Sequence, residues 1–157
     1  MKKPIFAALC LTLASAAFAH QGMPHDHQTT AQASTPTQEQ VAVQAKRLGL
    51  PEGTIKISEC VPGMGEHWAN PRDLPFGPIY GVMGNKVVFV EVMVDHNLFK
   101  NGQSWVDILK PLPGKRINHV DIEFQPQGHD GFPVPHYDIH AYFVTHQEHM
   151  NYCLPVQ

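Results

Sequence analysis

The sequence predicts an α+β domain in which an antiparallel β-sheet dominates and one short helix comes first. Residues 119–124 (HVDIEF) and 136–144 (HYDIHAYFV) alternate between polar and apolar positions, as strands with two different faces do. Two apolar runs flank Gly84-Asn85, which is typical of a hairpin. A capping-box sequence followed by apolar residues at helical spacing predicts the helix.

The first 19 residues predict a secretory signal peptide. Lys2 and Lys3 supply the positive start, and residues 5–13 form an apolar core that is too short for a membrane span. Residues 17–19 (AFA) have the A-x-A form of a cleavage site, so the mature chain is expected to begin at His20. No second apolar stretch approaches spanning length. We therefore expect a periplasmic or secreted protein.

The charge of the mature chain argues against two classes of partner. Removing Lys2 and Lys3 from eleven basic residues leaves nine, against fourteen acidic ones, a formal charge of −5 with His neutral. A mildly acidic chain without a basic stripe argues against nucleic acid and anionic membrane surfaces. All eleven histidines follow the cleavage site, so the net charge should change between about pH 6 and 7.

Two cysteines, Cys60 and Cys153, remain in the mature chain. In an exported protein an even pair predicts a disulfide, which here would join the start of the domain to its end. The alternative is that one thiolate binds a metal. The disulfide ranks first because oxidising compartments do not preserve free thiols.

Residues 20–37 predict a disordered tail, because this Thr/Gln-rich segment has almost no apolar bulk. The imidazoles and thioether at its start are ligands for copper and related metals; the candidates are His20, Met23, His25 and His27. A solvated polar tail is the simpler interpretation, and we favour it. Residues 38–157 then form a single β-rich domain.

The helix is expected to begin after Thr37, in the capping box TQEQ of residues 37–40. Val41, Ala45 and Leu48 recur at helical spacing, and Gly49 ends the pattern. We expect this helix to pack against the sheet.

Residues 54–59 (TIKISE) predict a strand, and the Gly and Pro content of residues 60–71 predicts a structured loop. Trp68 in that loop either fills the edge of the core, the commoner outcome, or lines a pocket. Its neighbour His67 faces either a site or solvent.

The hairpin comprises residues 78–83, the turn Gly84-Asn85 and residues 86–94. The second strand is apolar on both faces apart from Glu91, so it should be central and covered on both sides. A lone carboxylate there needs a partner. Glu91 is either hydrogen-bonded to a loop or part of a histidine site, and both remain open.

Residues 95–102 predict a short helical turn, and residues 104–109 (SWVDIL) are expected to bring Trp105 to the core. The two alternating strands follow. If they pair, their polar faces coincide and gather His119, Asp121 and Glu123 with His136, Asp138 and His140.

The histidines of this region predict a transition-metal site, with Zn or Cu as candidate ions. His136 and His140 are four residues apart, about 13 Å on an ideal strand, so sharing one ion requires residue 136 to belong to a curved loop. His129 can then fold back as a third ligand. Further candidates are His67, His119, Asp138 and Glu91, with Asp138 either a ligand or an acceptor that orients an imidazole.

A solvated polar sheet face is the alternative, and it explains the alternation without any ligand. Solvated faces usually carry Lys, however, and residues 118–157 contain neither Lys nor Arg. This absence favours a functional histidine cluster.

The run GHDGFPVPHYDIHAYF, with CVPGMGEHW and GPIYGVMGNKVVFVEVMV, resembles a family of exported bacterial domains of uncharacterised function. The family signature is GH…PH-aromatic-D-x-H-x-Y, and the resemblance covers about residues 56–144. It implies a mostly β-stranded domain with His129, His136 and His140 as the positions of interest. It implies no substrate.

Three functions are consistent with these patterns. The leading hypothesis is an exported domain that binds a transition-metal ion, or a small ligand, through its histidine cluster. The second is an enzyme with a His-Asp or His-Glu general base, although no HExxH, nucleophile elbow or phosphate loop supports it. The third is a structural or assembly protein that forms homo-oligomers through exposed aromatics such as Tyr80, Tyr137 and Tyr152.

Overall fold

A computed structural model describes residues 36–154 and confirms the predicted fold class, with a six-stranded antiparallel sheet and little helix. The strands lie in the order β1-β2-β3-β4-β6-β5. Their bounds are β1 (Ile55–Lys56), β2 (Glu66–Ala69), β3 (Ile79–Met83), β4 (Lys86–Asp95), β5 (His119–Gln125) and β6 (His136–Tyr142). The helices are α1 (Gln38–Arg47), α2 (His96–Lys100) and α3 (His146–His149), with a 3-10 turn at Pro71–Asp73.

The predicted signal peptide and the tail candidates His20, Met23, His25 and His27 lie outside the described residues. Among residues 36–154, none of the helices has the length and apolar character that crossing a membrane requires.

Helix α1 begins at the predicted capping box. The Thr37 hydroxyl accepts from the Gln40 amide at 3.3 Å, and the Gln40 side chain accepts from the Thr37 amide at 2.8 Å. Ala45 on its inner side is buried against a cluster that includes Trp68 and Tyr80. The helix therefore covers one face of the sheet, as predicted.

Strand β4 is the centre of the sheet, paired with β3 through the predicted hairpin and with β6 on its other side. Every residue from Val87 to Val94 is buried, which confirms a strand covered on both faces. The Phe89 ring lies directly over Gly81, where a Cβ atom would overlap it. Glycine at that position lets an aromatic ring occupy the middle of the face opposite α1.

The predicted loop of residues 60–71 contains β2, so that part of the prediction was wrong. β1 is also shorter than expected. β2 has only four residues, and its pairing with β1 and β3 and the burial of Trp68 and Ala69 stabilise it. Strand pairing and burial depend on distant parts of the chain, so the local sequence of a short Gly-rich segment does not reveal them. Trp68 is 1% exposed and belongs to the core, the commoner of its two outcomes.

Two aromatic predictions also need correction. Trp105 is only partly buried and stacks on Phe99 of α2, with ring centroids 6.4 Å apart, instead of entering the core. Tyr80 is 6% exposed, because it faces α1 within the core cluster, so it is not an exposed aromatic that can mediate self-association.

The predicted disulfide is present and joins Cys60 to Cys153, with Cα atoms 5.8 Å apart. Near it, the Gly63 amide donates to the Tyr152 carbonyl at 2.9 Å. The covalent bond and this hydrogen bond hold the segment after α3 against the loop that precedes β2.

Candidate metal centres

The face of the sheet opposite α1 carries the polar residues. Strand pairing places Asp121 and Glu91 on either side of His140, and Glu123 beside Asp138, as the two alternating strands predicted. Three groups of side chains on this face could hold a metal ion, with ligand atoms in each group within 4.8 Å of one another. They are the loop group (His129, His136, Asp138), the inner group (His67, Glu91, His140) and the four-ligand group (His119, Asp121, His146, His149).

In the loop group, backbone carbonyls orient both imidazoles. The Nδ1 of His136 lies 2.6 Å from the Val134 carbonyl, and the Nδ1 of His129 lies 2.9 Å from the Asp130 carbonyl. A carbonyl only accepts, so each Nδ1 carries the proton and each neutral ring has a lone pair on Nε2. The two Nε2 atoms face each other at 3.0 Å. Two lone pairs held this close repel each other unless a cation or a proton lies between them.

Asp138 adds negative charge to the same point. Its Oδ1 is 3.0 Å from the His136 Nε2, and its Oδ2 is 3.6 Å from the His129 Nε2. Gln125 donates to Oδ2 at 2.9 Å, whereas the buried Oδ1 has no hydrogen-bond partner among residues 36–154. Asp138 thus lies where a ligand would lie, and the alternative that it only orients an imidazole is less consistent with these contacts.

The inner group lies deeper. Glu91 places Oε2 3.8 Å from the His67 Nε2 and Oε1 3.5 Å from the His140 Nε2. Ser58 donates its hydroxyl proton to the Glu59 carbonyl at 2.8 Å, so it accepts from the His67 Nδ1 at 3.0 Å. That leaves a lone pair on the His67 Nε2, directed toward Glu91.

Several polar atoms of the inner group are buried without a hydrogen bond in the described part of the chain. They are Oε2 of Glu91 and both ring nitrogens of His140. Leaving such atoms unpaired costs about 1–3 kcal/mol each, more for charged groups. The arrangement therefore favours a bound cation that uses these atoms as ligands.

Burial sets the protonation of the inner group in the absence of a metal. It lowers the pKa of His67 to about 4 and that of His140 to about 3, since a charged ring is poorly solvated there. Burial, with the negative charges of Asp138 and Glu123, raises the pKa of Glu91 to about 8. Neutral imidazoles are the form that binds metal ions.

The loop and inner groups share one cavity of about 590 Å³. His67, Glu91, His129, Asp138 and His140 lie in its wall. The remaining wall is mostly apolar and includes Ile57, Val61, Met64, Leu74, Ile79 and Met93. A mainly apolar cavity with a few converging polar groups is the usual form of a small-molecule site.

The four-ligand group lies where β5 meets α3. The His149 Nδ1 donates to the Gly63 carbonyl at 2.8 Å, and the His119 Nδ1 donates to the Asn118 side-chain oxygen at 3.2 Å. Both rings therefore present an unprotonated Nε2, and these two atoms are 3.4 Å apart. His149 is buried, so this convergence is not a feature of freely solvated rings.

Five of the six separations in this group resemble the edges of a metal-centred tetrahedron. The Nδ1 of His146 lies 3.1 Å from the His149 Nε2. The Asp121 Oδ2 lies 3.7, 3.8 and 3.9 Å from the ligand nitrogens of His119, His146 and His149. Ligands about 2.0–2.1 Å from a tetrahedral zinc ion are about 3.3 Å from one another. Three imidazoles and one carboxylate make a complete zinc ligand set.

No Lys or Arg forms an ion pair with Asp121, Glu91, Glu123 or Asp138 within residues 36–154; their ion-pair partners are all histidines. Four carboxylates on one face without a permanent positive charge repel one another. A metal cation would supply the missing charge.

The candidate ligands from the sequence are distributed over all three groups. His129 folds back onto His136, as expected, whereas His140 lies with His67 and Glu91 and not with those two. His119 joins His146 and His149, which were not among the ligands predicted from the sequence. The i, i+3 spacing of His146 and His149, just before a cysteine expected in a disulfide, was the signal that could have identified them.

No known protein family and no curated protein matches the chain. A solved structure does: the hypothetical protein TTHB210 from Thermus thermophilus is 30% identical, with a TM-score of 0.50. The match covers 57% of this chain and 80% of that one. The resemblance to exported domains with the GH…PHYDxHxY signature stays a prediction. By identity and coverage, the chain belongs to the same family as the Thermus protein, whose name states no activity.

Proposed function

We propose that this chain is an exported protein that binds a transition-metal ion, with the four-ligand group as its principal site. The observation that supports this most strongly is the convergence of three imidazole nitrogens and one carboxylate oxygen, all within 4.8 Å of one another and with five of the six separations between 3.1 and 3.9 Å. Two of the rings are fixed by hydrogen bonds at Nδ1, which is how metal-binding histidines are oriented in proteins.

Among the candidate ions, zinc suits this group best. A His₃Asp set at near-tetrahedral spacing matches the four-coordinate geometry of Zn²⁺. Cu²⁺ accepts the same ligand atoms but prefers a square-planar or tetragonal arrangement. In this arrangement all four positions come from the protein, so the ion would mainly stabilise the junction of β5 and α3.

A metal titration tests this function directly. The mature protein, purified without a His tag and stripped of metal, is titrated with Zn²⁺ against a chromophoric chelator. His146→Ala removes one ligand, and the His146 side chain is 66% exposed, so the variant should fold. We expect His146→Ala to bind one ion fewer than the wild type at micromolar Zn²⁺. Gln147→Ala, an exposed neighbour outside the group, should bind as the wild type does.

Equal stoichiometry and affinity in the wild type and His146→Ala would exclude the four-ligand site. Export is tested separately, by sequencing the N-terminus of the protein recovered outside the cytoplasm. A mature chain that begins at His20 supports the predicted cleavage after Ala19, and an intact Met1 in that fraction contradicts it.

A further inference from the structure

We propose that the loop group and the inner group each hold a transition-metal ion, and that the two ions together bind a small carboxylate with an aliphatic body in the shared cavity. The proposal goes beyond the four-ligand site and does not require that site to be occupied. It assigns the protein a ligand-binding activity as well as metal binding.

The two groups are neighbours because β6 connects them. Asp138 and His140 are two residues apart on the same face of that strand, which separates their Cα atoms by about 6.6 Å. On β4, the residues opposite them are Met93 and Glu91. Every side chain of the two groups except His136 borders the same cavity, so one small molecule can contact both ions.

Each group has an independent sign that a cation belongs there. Asp138 is 3% exposed and Glu91 is 4% exposed, and each has a carboxylate oxygen without a hydrogen-bond partner among residues 36–154. The structure also holds lone-pair nitrogens against these carboxylates. The His136 Nε2 lies 3.0 Å from Asp138 in the loop group, and the His67 Nε2 lies 3.8 Å from Glu91 in the inner group. Buried charges persist in proteins when they are paired or coordinate metals.

Both groups supply three protein residues, which distinguishes them from the four-ligand group. Metal sites with three protein ligands usually keep a fourth position for water or substrate, whereas structural sites are closed by four. Because these groups lie in a cavity wall, that fourth position can face the cavity.

The cavity wall determines the class of ligand. It contains no Lys or Arg among the described residues, so metal ions are the positive charges that can hold an anionic head there. Apart from the candidate ligands, the wall consists of six aliphatic or thioether side chains together with Ser58, Gln125, Asp130 and Gly131. The apolar majority favours an apolar body. A cavity of about 590 Å³ lies within the range that small-molecule sites occupy.

The test uses the full mature chain with His119→Ala and His146→Ala, so that only Asp121 and His149 remain of the four-ligand site. Co²⁺ replaces the native ion because its visible absorption reports its ligands. We expect this variant to bind two Co²⁺ ions per chain. Adding hexanoate should change the cobalt spectrum at concentrations where acetate does not. Each buried methylene strengthens binding about fourfold, which corresponds to about 0.8 kcal/mol, so four methylenes give on the order of 100-fold.

A second substitution keeps the test specific. His129 is 43% exposed, so His129→Ala in the same background should fold. We expect it to bind one Co²⁺ ion and to lose at least tenfold in hexanoate affinity. The proposal is overturned if the His119→Ala/His146→Ala protein binds fewer than two Co²⁺ ions, or if hexanoate binds no tighter than acetate. Neither result bears on the four-ligand site, which the comparison of wild type with His146→Ala decides.

Discussion

The four-ligand group and the two cavity groups use similar side chains but are held together in different ways. In the cavity groups, five of the six ligands lie on β2, β4 and β6, and His129 alone comes from a loop. In the four-ligand group, two ligands lie on β5 and two on α3, a helix of four residues. The first arrangement is fixed by strand register, and the second depends on where α3 is docked.

This difference shows what holds the ligands of each site in position before a metal ion binds. Backbone hydrogen bonds along β2, β4 and β6 hold the cavity ligands whether or not a metal is bound. α3 has no strand pairing of its own. It is held by side-chain contacts and by the nearby Cys60–Cys153 disulfide. The contacts are the His149 hydrogen bond to the Gly63 carbonyl, the stacking of His149 on Tyr142 and the exposed Lys86–Glu148 ion pair. The four-ligand site should therefore be the one that responds to changes far from its ligands.

The largest effect should come from removing the disulfide. The double substitution Cys60→Ser/Cys153→Ser opens a loop with a sequence separation of 93 residues, which in the chain-entropy model lowers the free energy of unfolding by up to about 5 kcal/mol. Zn²⁺ affinity at the four-ligand group should fall at least tenfold, because α3 is no longer tethered. Urea unfolding in chelator and competitive Zn²⁺ titration measure the two effects.

Co²⁺ binding by the cavity groups should persist in that variant under conditions where it remains folded. Equal losses of affinity at all three groups would show that the disulfide supports the whole sheet, and the distinction between strand-held and helix-held sites would fail.

The next largest effect concerns pH and the inner group. In the metal-free protein, the folded-state pKa of Glu91 is raised to about 8 from 4.5, so the folded chain keeps a proton that the unfolded chain releases. The free energy of unfolding therefore falls as pH rises from about 4.5 through about 8. Glu91 contributes a slope of about 1.4 kcal/mol per pH unit to this fall. Glu91→Gln should remove that slope, and unfolding free energies measured in chelator from pH 5 to 9 test it.

The histidines of the inner group affect the free energy of unfolding at acidic pH. Their folded-state pKa values lie below the ordinary 6.5, so the stability that their neutral forms provide is lost as pH falls below about 6.5. Glu91→Gln should leave this acidic limb in place. Glu39→Gln is the control for the loss of one carboxyl group, because Glu39 is an exposed residue of α1. An unchanged alkaline slope in Glu91→Gln would show that Glu91 is already ionised in the metal-free fold, so that burial does not raise its pKa.

The sequence predicted those helices and strands that a short pattern of neighbouring residues specifies. The capping box at Thr37, the β3–β4 hairpin and the alternation in β5 and β6 are contained within a few residues each. β2 escaped prediction because its four residues become a strand through pairing on both edges.

The same distinction explains which ligands could be foreseen. His129 and His136 are seven residues apart, so a turn of the chain brings them together, and the sequence predicted that. His67 meets Glu91 and His140 only through the strand order β2-β3-β4-β6. His149 meets His119 through the docking of α3, with the disulfide nearby. These long-range contacts have no local signal.

A smaller effect is expected from Asn118→Ala, which removes the side-chain oxygen that accepts from the His119 Nδ1 at 3.2 Å. Loss of such a partner typically weakens metal binding about 10- to 100-fold, because it releases the ring orientation and tautomer. Zn²⁺ competition should show this loss at the four-ligand group. The cavity groups should not change, since backbone carbonyls accept from His129 and His136. An effect at both places would mean that Asn118 acts through the fold.

The smallest effect should come from Gln125→Ala, the matching substitution beside the cavity. Gln125 donates to the Asp138 Oδ2 at 2.9 Å, so its removal frees one carboxylate oxygen of the loop group. Asp138 itself stays in place, because its strand is paired with Met93 on one side and Glu123 on the other. We therefore expect a loss of about tenfold or less in Co²⁺ affinity at the loop group, measured in the His119→Ala/His146→Ala protein. A loss larger than the one that Asn118→Ala causes at the four-ligand group would contradict the distinction between strand-held and helix-held ligands. Strand pairing would then be insufficient to hold the cavity ligands. The polar side chains around the ligands would determine metal affinity at both sites.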